Sequence, residues 1–409
     1  MIVHAPETAR LCFGRDTATD QCVSGDRYGS GDDASLAQLI MEHLMTLKRS
    51  IPAIALVAGL AVGAAGLPDV ARSQEKLVYA SYLTEAYSAS KSDIWLLDEI
   101  EKRSGGEIKF ERYWASSLLK AADLYPGLAS GAADIATSAP ATYNVREYPL
   151  ANVVMPFMST RGDAITLAWR DLYKNNAAFR NEFESKGAKV LYSVAWAENT
   201  VWSRRPIAKL SDLKGLKIRA VPPISEAIKK LGGTPVALAW PDGLEGLQRG
   251  VVDAMSSAPF DSAVHGNAQD VAKNGTDLGG TGIFAIATTS ISLARYNKLS
   301  EKHRKIIDEV AAEAPAQANR LLGDSLDRAV EKLCSKKEKL TISNFDDADK
   351  AEVQKVAATG LQDDWLKRVK AETKADGRAI LDEFIGYVRK YEKSSTYLPG
   401  FDRYRKTCG

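Results

Sequence analysis

From residue 76 to about residue 300, short apolar or alternating runs take turns with amphipathic helical stretches, the pattern of an α/β protein. "KLVYASYL", "EIKFERYW", "KVLYSVAW" and "GLKIRAV" read as strands. "KSDIWLLDEIEKRSGG" reads as a helix stopped at Gly105-Gly106, and "DLYPGLASGAADIATSAP" as a helix, a glycine stop and another strand. In "SDLKGLKIRAVPP", Leu216, Ile218 and Ala220 alternate with Lys217 and Arg219. Pro222-Pro223 ends that strand, because proline has no amide proton to continue a ladder, and so Arg219 falls close to a strand end. Beyond residue 300 the period changes. "SEKHRKIIDEVAAEAPAQANRLLGDSLDRAVEKLCSKKEKL" keeps helical spacing, with Ile306, Ile307, Val310, Leu321, Leu322, Leu326, Val330 and Leu333 as its stripe. A helix of that length can brace everything before it, with Pro315 a candidate kink. Two further helices, "AEVQKVAATGLQDDWLKRVKAE" and "GRAILDEFIGYVRKYEKS", lead toward Cys408.

The chain echoes itself. "LASGAADIATSAP" from Leu128 and "LQRGVVDAMSSAP" from Leu247 share Leu, Gly, Asp, Ser, Ala and Pro without a gap. Upstream, "IEKRSGG" before "EIKFERYW" matches "IKKLGG" before "TPVALAW", so that each time a helix passes through Gly-Gly into a strand expected to end in tryptophan. Glycine and aspartate are common turn residues, and chance is the rival explanation. Ordered agreement of two separate segments favours two similar halves. Ligands of open α/β sheets bind beyond the carboxyl ends of the strands. Trp114, Ser138, Trp240 and Ser257 fall at or near such ends, two from each half, and Arg219 joins them.

The N-terminal region departs from this grammar. Lys48 and Arg49 precede an uncharged run from Ile51 to Leu67, followed by small residues at Ala71 and Ser73. That order is a secretory signal peptide, with cleavage expected near Ser73-Gln74. A membrane anchor is the alternative, but such a helix would span only ~25 Å, against roughly 30 Å of hydrocarbon. Because signal peptides start near the N-terminus, translation is expected to begin at Met41 or Met45, with residues 1–40 a misannotated extension. A genuine extension carrying Cys12 and Cys22 is the rival. In an oxidising compartment the two remaining cysteines, Cys334 and Cys408, most simply form one disulfide.

Composition narrows the function. At 409 residues, 45% apolar and 26% charged, the chain holds one large or two ordinary domains. A net charge of +2 without a long basic run argues against nucleic-acid binding. No metal-ligand cluster, Gly-x-Ser-x-Gly elbow or phosphate loop is visible, and "GTGIFA" at Gly280 lacks the strand before and helix after that a dinucleotide site needs. No cofactor is expected. His265 and His303 are far apart, and His303, set among charges, reads as a solvated surface residue. Arg219 is the sharpest candidate: a guanidinium fork matches a carboxylate with two parallel charge-assisted bonds. Trp240 can supply a flat apolar wall, and Ser257 and Asn199 neutral hydrogen bonds. The structural readings are an ordinary ion pair for Arg219, core packing for Trp240, and turn formation or capping for the other two.

"DLKGLKIRA…LGGTPVALAWPDGLEGLQRGVVDAM" resembles the solute-binding proteins of tripartite ATP-independent periplasmic (TRAP) transporters, the dicarboxylate-binding-protein type. "EIEKRSGGEIKFERYWASSLL…GLASGAADIA", "MPFM" at Met155 and "YNKLSEKHRKII" at Tyr296 fit the same family, in order from about Lys76 to about Leu340. The resemblance implies a type II-like two-domain periplasmic-binding-protein fold with a long helix bridging both domains. The implied organisation is 74–198 plus about 285–315 for one domain, 199–284 plus about 316–340 for the other, and 341–409 as C-terminal helices packed on them. That C-terminal part is longer than the resemblance leads one to expect and carries no ligand role. Capture of a small organic acid in the periplasm and its delivery to small and large permease subunits are implied, by a protein expected to be a monomer and not an enzyme. The family's carboxylate-binding arginine falls on Arg219, its aromatic on Trp240 and its polar strand-end residue on Ser257. Sialic-acid binders carry charged residues where this chain has Ala139, Thr142 and Asn199, and Tyr82 replaces a small polar residue. The expected site is therefore Arg219, Asn199, Trp240, Ser257, Tyr82, Trp114, Ser138 and Thr142, suited to a monocarboxylate, aromatic or branched. A secreted hydrolase or lyase of similar shape, or a module presenting a ligand to a sensor kinase, are the alternatives.

Overall fold

The computed structural model describes residues 74–238, 240–284 and 286–408. The expectations for residues 1–73, including the extension, the signal peptide, Cys12 and Cys22, lie outside the described residues. Among the described residues eleven strands form two sheets: β1 (Glu75–Ser81), β2 (Ile108–Tyr113), β3 (Ile135–Ser138), β4 (Ala188–Ala195), β5 (Asn199–Ser203), β6 (Lys217–Arg219), β7 (Thr234–Val236), β8 (Ala254–Pro259), β9 (Asn274–Thr276), β10 (Ile286–Ser292) and β11 (Thr341–Ser343). The first sheet has the order β2-β1-β3-β10-β4 and the second β7-β6-β8-β5-β9-β11. The helices that matter for the site are α1 (Ser88–Arg103), α2 (Leu124–Ser130), α3 (Ile224–Lys230), α4 (Trp240–Arg249), α5 (Glu301–Cys334), α6 (Gly377–Glu392) and α7 (Gly400–Cys408).

The internal echo is a structural repeat. β1-α1-β2-α2-β3 and β6-α3-β7-α4-β8 are the same parallel unit, in which the first strand pairs with both others. Each unit then takes an antiparallel neighbour from the far side of a crossing: β10 beside β3, and β5 beside β8. The shared Gly and Asp have matching jobs. Gly131 and Gly250 take φ of 80° and 77°, a left-handed turn that glycine adopts without a Cβ penalty. Behind them Asp134 and Asp253 accept, at Oδ2, the amides of Val78 (2.8 Å) and Lys217 (2.9 Å). Their own amides donate to the carbonyls of those same two residues. A carboxylate thus tethers the first strand to the third in both halves.

Two connections cross between the sheets, from β4 to β5 and from β9 to β10. The helix α5 accompanies them. Its first half buries Ile307, Val310, Ala314 and Ala318 against the core of the first sheet. Its second half buries Leu322, Leu326, Val330 and Leu333 against the core of the second, with Pro315 buried between. The stripe read from the sequence is the buried face, except that Ile306 and Leu321 are half-buried. Cys334 at the end of α5 is disulfide-bonded to Cys408 at the end of α7, closing a loop with a sequence separation of 74. His303 corrects the expectation of a solvated residue: it is buried, and its Nε2 lies 3.0 Å from Glu107 Oε2. The neighbouring Lys302 donates to the same Glu107 carboxylate, at 2.8 Å to each oxygen.

Candidate functional site

Where the carboxyl ends of β1, β2, β3 and β4 face those of β6, β7 and β8, a cavity of about 440 Å³ opens between the two sheets. Strand ends meet there because each parallel unit points the same end of its sheet at the other. Tyr82, just after β1, and Val221, just after β6, line it from equivalent positions. Its walls carry six aromatic side chains: Tyr82, Tyr87, Tyr143, Trp196, Trp240 and Phe284. Among the described residues, Arg219 is the one charged side chain in the lining.

Arg219 closes β6 and is only 4% exposed. Its Nε donates to the carbonyl of Leu238 at 3.0 Å, and Nη1 donates to those of Ser256 (3.2 Å) and Ser257 (3.1 Å). The guanidinium sits 5.7 Å from the Trp240 ring centroid, within cation–π range. Gly243, in the first turn of α4, leaves the room: a Cβ there would come within 3.0–3.2 Å of Arg219 Cγ, Cδ and Nε. Among the described residues no carboxylate pairs with Arg219 and no acceptor takes Nη2. Burial pushes its pKa down to about 10, with the nearby Tyr143 phenol acting the other way. It is therefore still a cation at neutral pH, held by neutral carbonyls that fix its plane without cancelling its charge.

Asn199 opens β5 immediately after the first crossing and is 2% exposed. Its amide nitrogen donates to the Gly282 carbonyl at 2.9 Å. Gly282 lies so close to Ser159 that a Cβ would meet its carbonyl oxygen at 2.2 Å, a packing reason for that glycine. The side-chain Nδ2 of Asn199 is buried without a hydrogen-bond partner, as is the hydroxyl of Tyr82. Burial, ahead of the neighbouring Tyr143, holds the Tyr82 phenol well above its usual pKa. Tyr143 meets Tyr82 edge-on at 5.1 Å and stays 40% exposed.

Six of the eight residues expected at the site line this one cavity: Arg219, Asn199, Trp240, Ser257, Tyr82 and Thr142. Ser257 is placed differently from the expectation of a free donor. It sits at φ 52°, and its hydroxyl accepts the Val221 amide (3.0 Å) while its carbonyl receives Arg219. It shapes the cation's seat. Trp114 and Ser138 are not brought to the cavity. Trp114 packs on Tyr79 with ring centroids 4.8 Å apart, and Ser138 is fully buried, donating to the Ala121 carbonyl at 3.0 Å. The two tryptophans are not equivalent: β2 ends directly before Trp114, whereas β7 ends at Val236 and Trp240 begins α4. The apolar end of "TPVALAW" has strand composition, but the register with β6 stops at Val236.

Sequence reasoning missed Tyr87, Tyr143, Trp196 and Phe284. Trp196 follows the end of β4 directly, so the strand-end rule that picked Trp114 could have found it, whereas Tyr143 ends the short helix Pro140–Tyr143. Tyr87 and Phe284 lie in irregular segments without such a signal. A second missed feature is Asp261, which accepts from Ser88 of α1 (3.2 Å) and Ser325 of α5 (2.7 Å), a hydrogen bond across the cleft beside the cavity.

Among the described residues no cluster of metal-binding side chains occurs. Over residues 89–367 the sequence matches the family described as bacterial extracellular solute-binding protein, family 7. A curated solute-binding protein of Albidiferax ferrireducens is 31% identical over 220 residues, covering 53% of this chain and 63% of that protein. The chain thus matches a little under two thirds of that relative. A TRAP periplasmic solute-binding protein from Desulfovibrio salexigens, solved as an open complex, superimposes with a TM-score of 0.68 at 26% identity, covering 80% of this chain and 99% of the other. That share exceeds what residues 74–340 alone could supply, so the likeness extends into the C-terminal helices. A TRAP solute-binding protein from Rhodoferax ferrireducens T118 in complex with copurified benzoate gives a TM-score of 0.66 at 22% identity, covering 78% and 99%.

Proposed function

The chain belongs to the bacterial extracellular solute-binding proteins of family 7, and on that footing we propose that it captures a small organic monocarboxylate outside the cytoplasm for a TRAP transporter. In this reading Arg219 pairs the ligand carboxylate through Nη2, and the aromatic walls enclose the rest. The observation that carries it is Arg219 itself: a cation 4% exposed, with no acidic partner among the described residues, facing an apolar cavity. Leaving a buried charge uncompensated costs several kcal/mol, which an anionic ligand would return.

One cation and six aromatic rings argue for a single negative charge on an apolar, preferably aromatic body. A dicarboxylate would bury a second charge with no partner. The benzoate held by the Rhodoferax relative is of the favoured kind. Asn199, Trp240, Tyr82 and Thr142 complete the contact set, and Ser257 holds the arginine. Trp114 and Ser138 act behind the wall. The loaded protein, a monomer in the periplasm, would pass its cargo to small and large permease subunits, and the ligand leaves chemically unchanged.

Isothermal titration and thermal shift against a panel of organic acids test this, since a ligand bound only to the folded state adds RT ln(1 + [L]/Kd) to stability. Wild-type protein should bind aryl monocarboxylates, and Arg219→Ala should cost at least about 2 kcal/mol, roughly 30-fold in Kd. Unchanged affinity in that variant would remove Arg219 from the site, and turnover of a bound acid would favour the enzyme alternative.

A further inference from the structure

Asp261 is a buried carboxylate with no part in holding the ligand's charge. It lies in the short helix Phe260–His265, directly after β8 of the second lobe, and is 2% exposed. Among the described residues it has no ion-pair partner, so hydroxyls and an amide compensate its charge. Three of these donors stand on its own side of the cleft. The Ser262 amide (2.8 Å) and hydroxyl (3.3 Å) meet Oδ1, and the Ser325 hydroxyl, in the half of α5 that packs on the second sheet, meets Oδ2 at 2.7 Å. The fourth donor crosses from the other lobe: Ser88 Oγ donates to Oδ2 at 3.2 Å. Ser88 is the first residue of α1, a 16-residue helix whose N-cap Tyr87 makes no side-chain capping bond. The carboxylate thus stands at the positive end of that helix dipole, where an anion is favoured. Ser88 and Ser262 both belong to the cavity lining, so parting the lobes admits water to this bond.

We propose that Asp261 is a positioning residue for closure: its carboxylate latches Ser88 and the start of α1 across the cleft when the lobes shut, and releases them when the lobes part. The inference goes beyond the carboxylate reading and rests on it only where ligand release is measured. Opening takes away Ser88 and the helix end together, leaving Asp261 with Ser262, Ser325 and water. A charge-assisted bond made only in the shut form shifts the balance between the two forms, whichever acid is inside. No ligand atom takes part in it, so the latch also forms in ligand-free protein. Closure and charge recognition therefore fall on separate residues, and mutation can separate them.

The experiment compares wild type, Ser88→Ala and Ser325→Ala by solution X-ray scattering without ligand and by stopped-flow binding of benzoate and phenylacetate. Ser88→Ala removes a single oxygen. Its ligand-free scattering should show a more open molecule, and it should release both acids about five- to tenfold faster, by the same factor, with association unchanged. Ser325→Ala removes a closer hydroxyl from the same carboxylate without spanning the cleft. It should lower the melting temperature and leave release as in wild type. Ser88→Ala should also cost less when added to Asp261→Asn than in wild type, because the two residues share one interaction. Unchanged scattering or unchanged release in Ser88→Ala would overturn the latch. Equal acceleration by Ser325→Ala would reduce Asp261 to a structural role and overturn it too, as would a loss confined to one acid, the mark of a ligand contact. If wild type binds neither acid, the carboxylate reading fails for these ligands and the scattering comparison alone decides the latch.

Discussion

Arg219, Asn199 and Glu198 carry most of the chemistry at the scale of single residues. Glu198 precedes Asn199 at the crossing between sheets and is buried. Its carboxylate accepts from the Tyr397 hydroxyl and the Gly400 amide, each at 2.6 Å. Burial outweighs those bonds and raises its pKa to about 7. The sign of the linkage follows. A carboxyl whose folded pKa lies above its unfolded value binds protons more tightly when folded. Its contribution to stability is greatest below the unfolded value and is lost as pH climbs toward 7 and beyond. Between pH 4.5 and 7 this group should remove roughly 3 kcal/mol of unfolding free energy. Glu198→Gln, whose amide can still serve both partners, should flatten that part of the pH profile in denaturant titrations. An unchanged slope would show that Glu198 is charged at acidic pH in the folded protein. Arg219 was legible in the sequence because a cation at a forced strand end is unusual. Glu198 was not, because its burial depends on Tyr397 and Gly400, some two hundred residues away.

At the scale of elements, the repeat was the most legible feature, since each shared residue has a local reason: glycine for the left-handed turn, aspartate to tether strands. What local pattern could not supply was register. "TPVALAW" has strand composition to its end, yet pairing with β6 lasts three residues and the tryptophan is recruited to start α4. That recruitment matters, because α4 seats the arginine through Gly243. Gly243→Ala should displace the guanidinium by a few tenths of an ångström. It should weaken binding of an aryl carboxylate severalfold with little loss of stability, since alanine favours a helix interior over glycine. Titration beside a melting curve checks this, and a variant that binds normally would mean the arginine can shift without cost. The C-terminal helices are expected to pack on the two domains, and one such contact reaches the crossing between the sheets. The segment from Tyr397 to Gly400 holds Glu198 next to Asn199.

For the whole molecule, two lobes joined by two crossings and one long helix place a cation, an aromatic enclosure and an interlobe hydrogen bond from Ser88 to Asp261 around one cavity. The disulfide is remote from that cavity and ties α7 to α5. Its reduction, or Cys334→Ser with Cys408→Ser, should lower stability by about 4 kcal/mol in the chain-entropy picture and leave ligand affinity unchanged. Matched denaturation and binding curves separate the two effects, and a change in Kd would show that the C-terminal clasp reaches the cleft. The central claim, that Arg219 waits for a ligand's charge, is tested most directly by a crystal structure of the protein grown with an aryl monocarboxylate. The account predicts a carboxylate oxygen about 2.8 Å from Arg219 Nη2, the distance of a charge-assisted bond, with the ring among Tyr82, Tyr143 and Trp240. An acid bound elsewhere, or Arg219 turned to a protein carboxylate with the cavity empty, would contradict it.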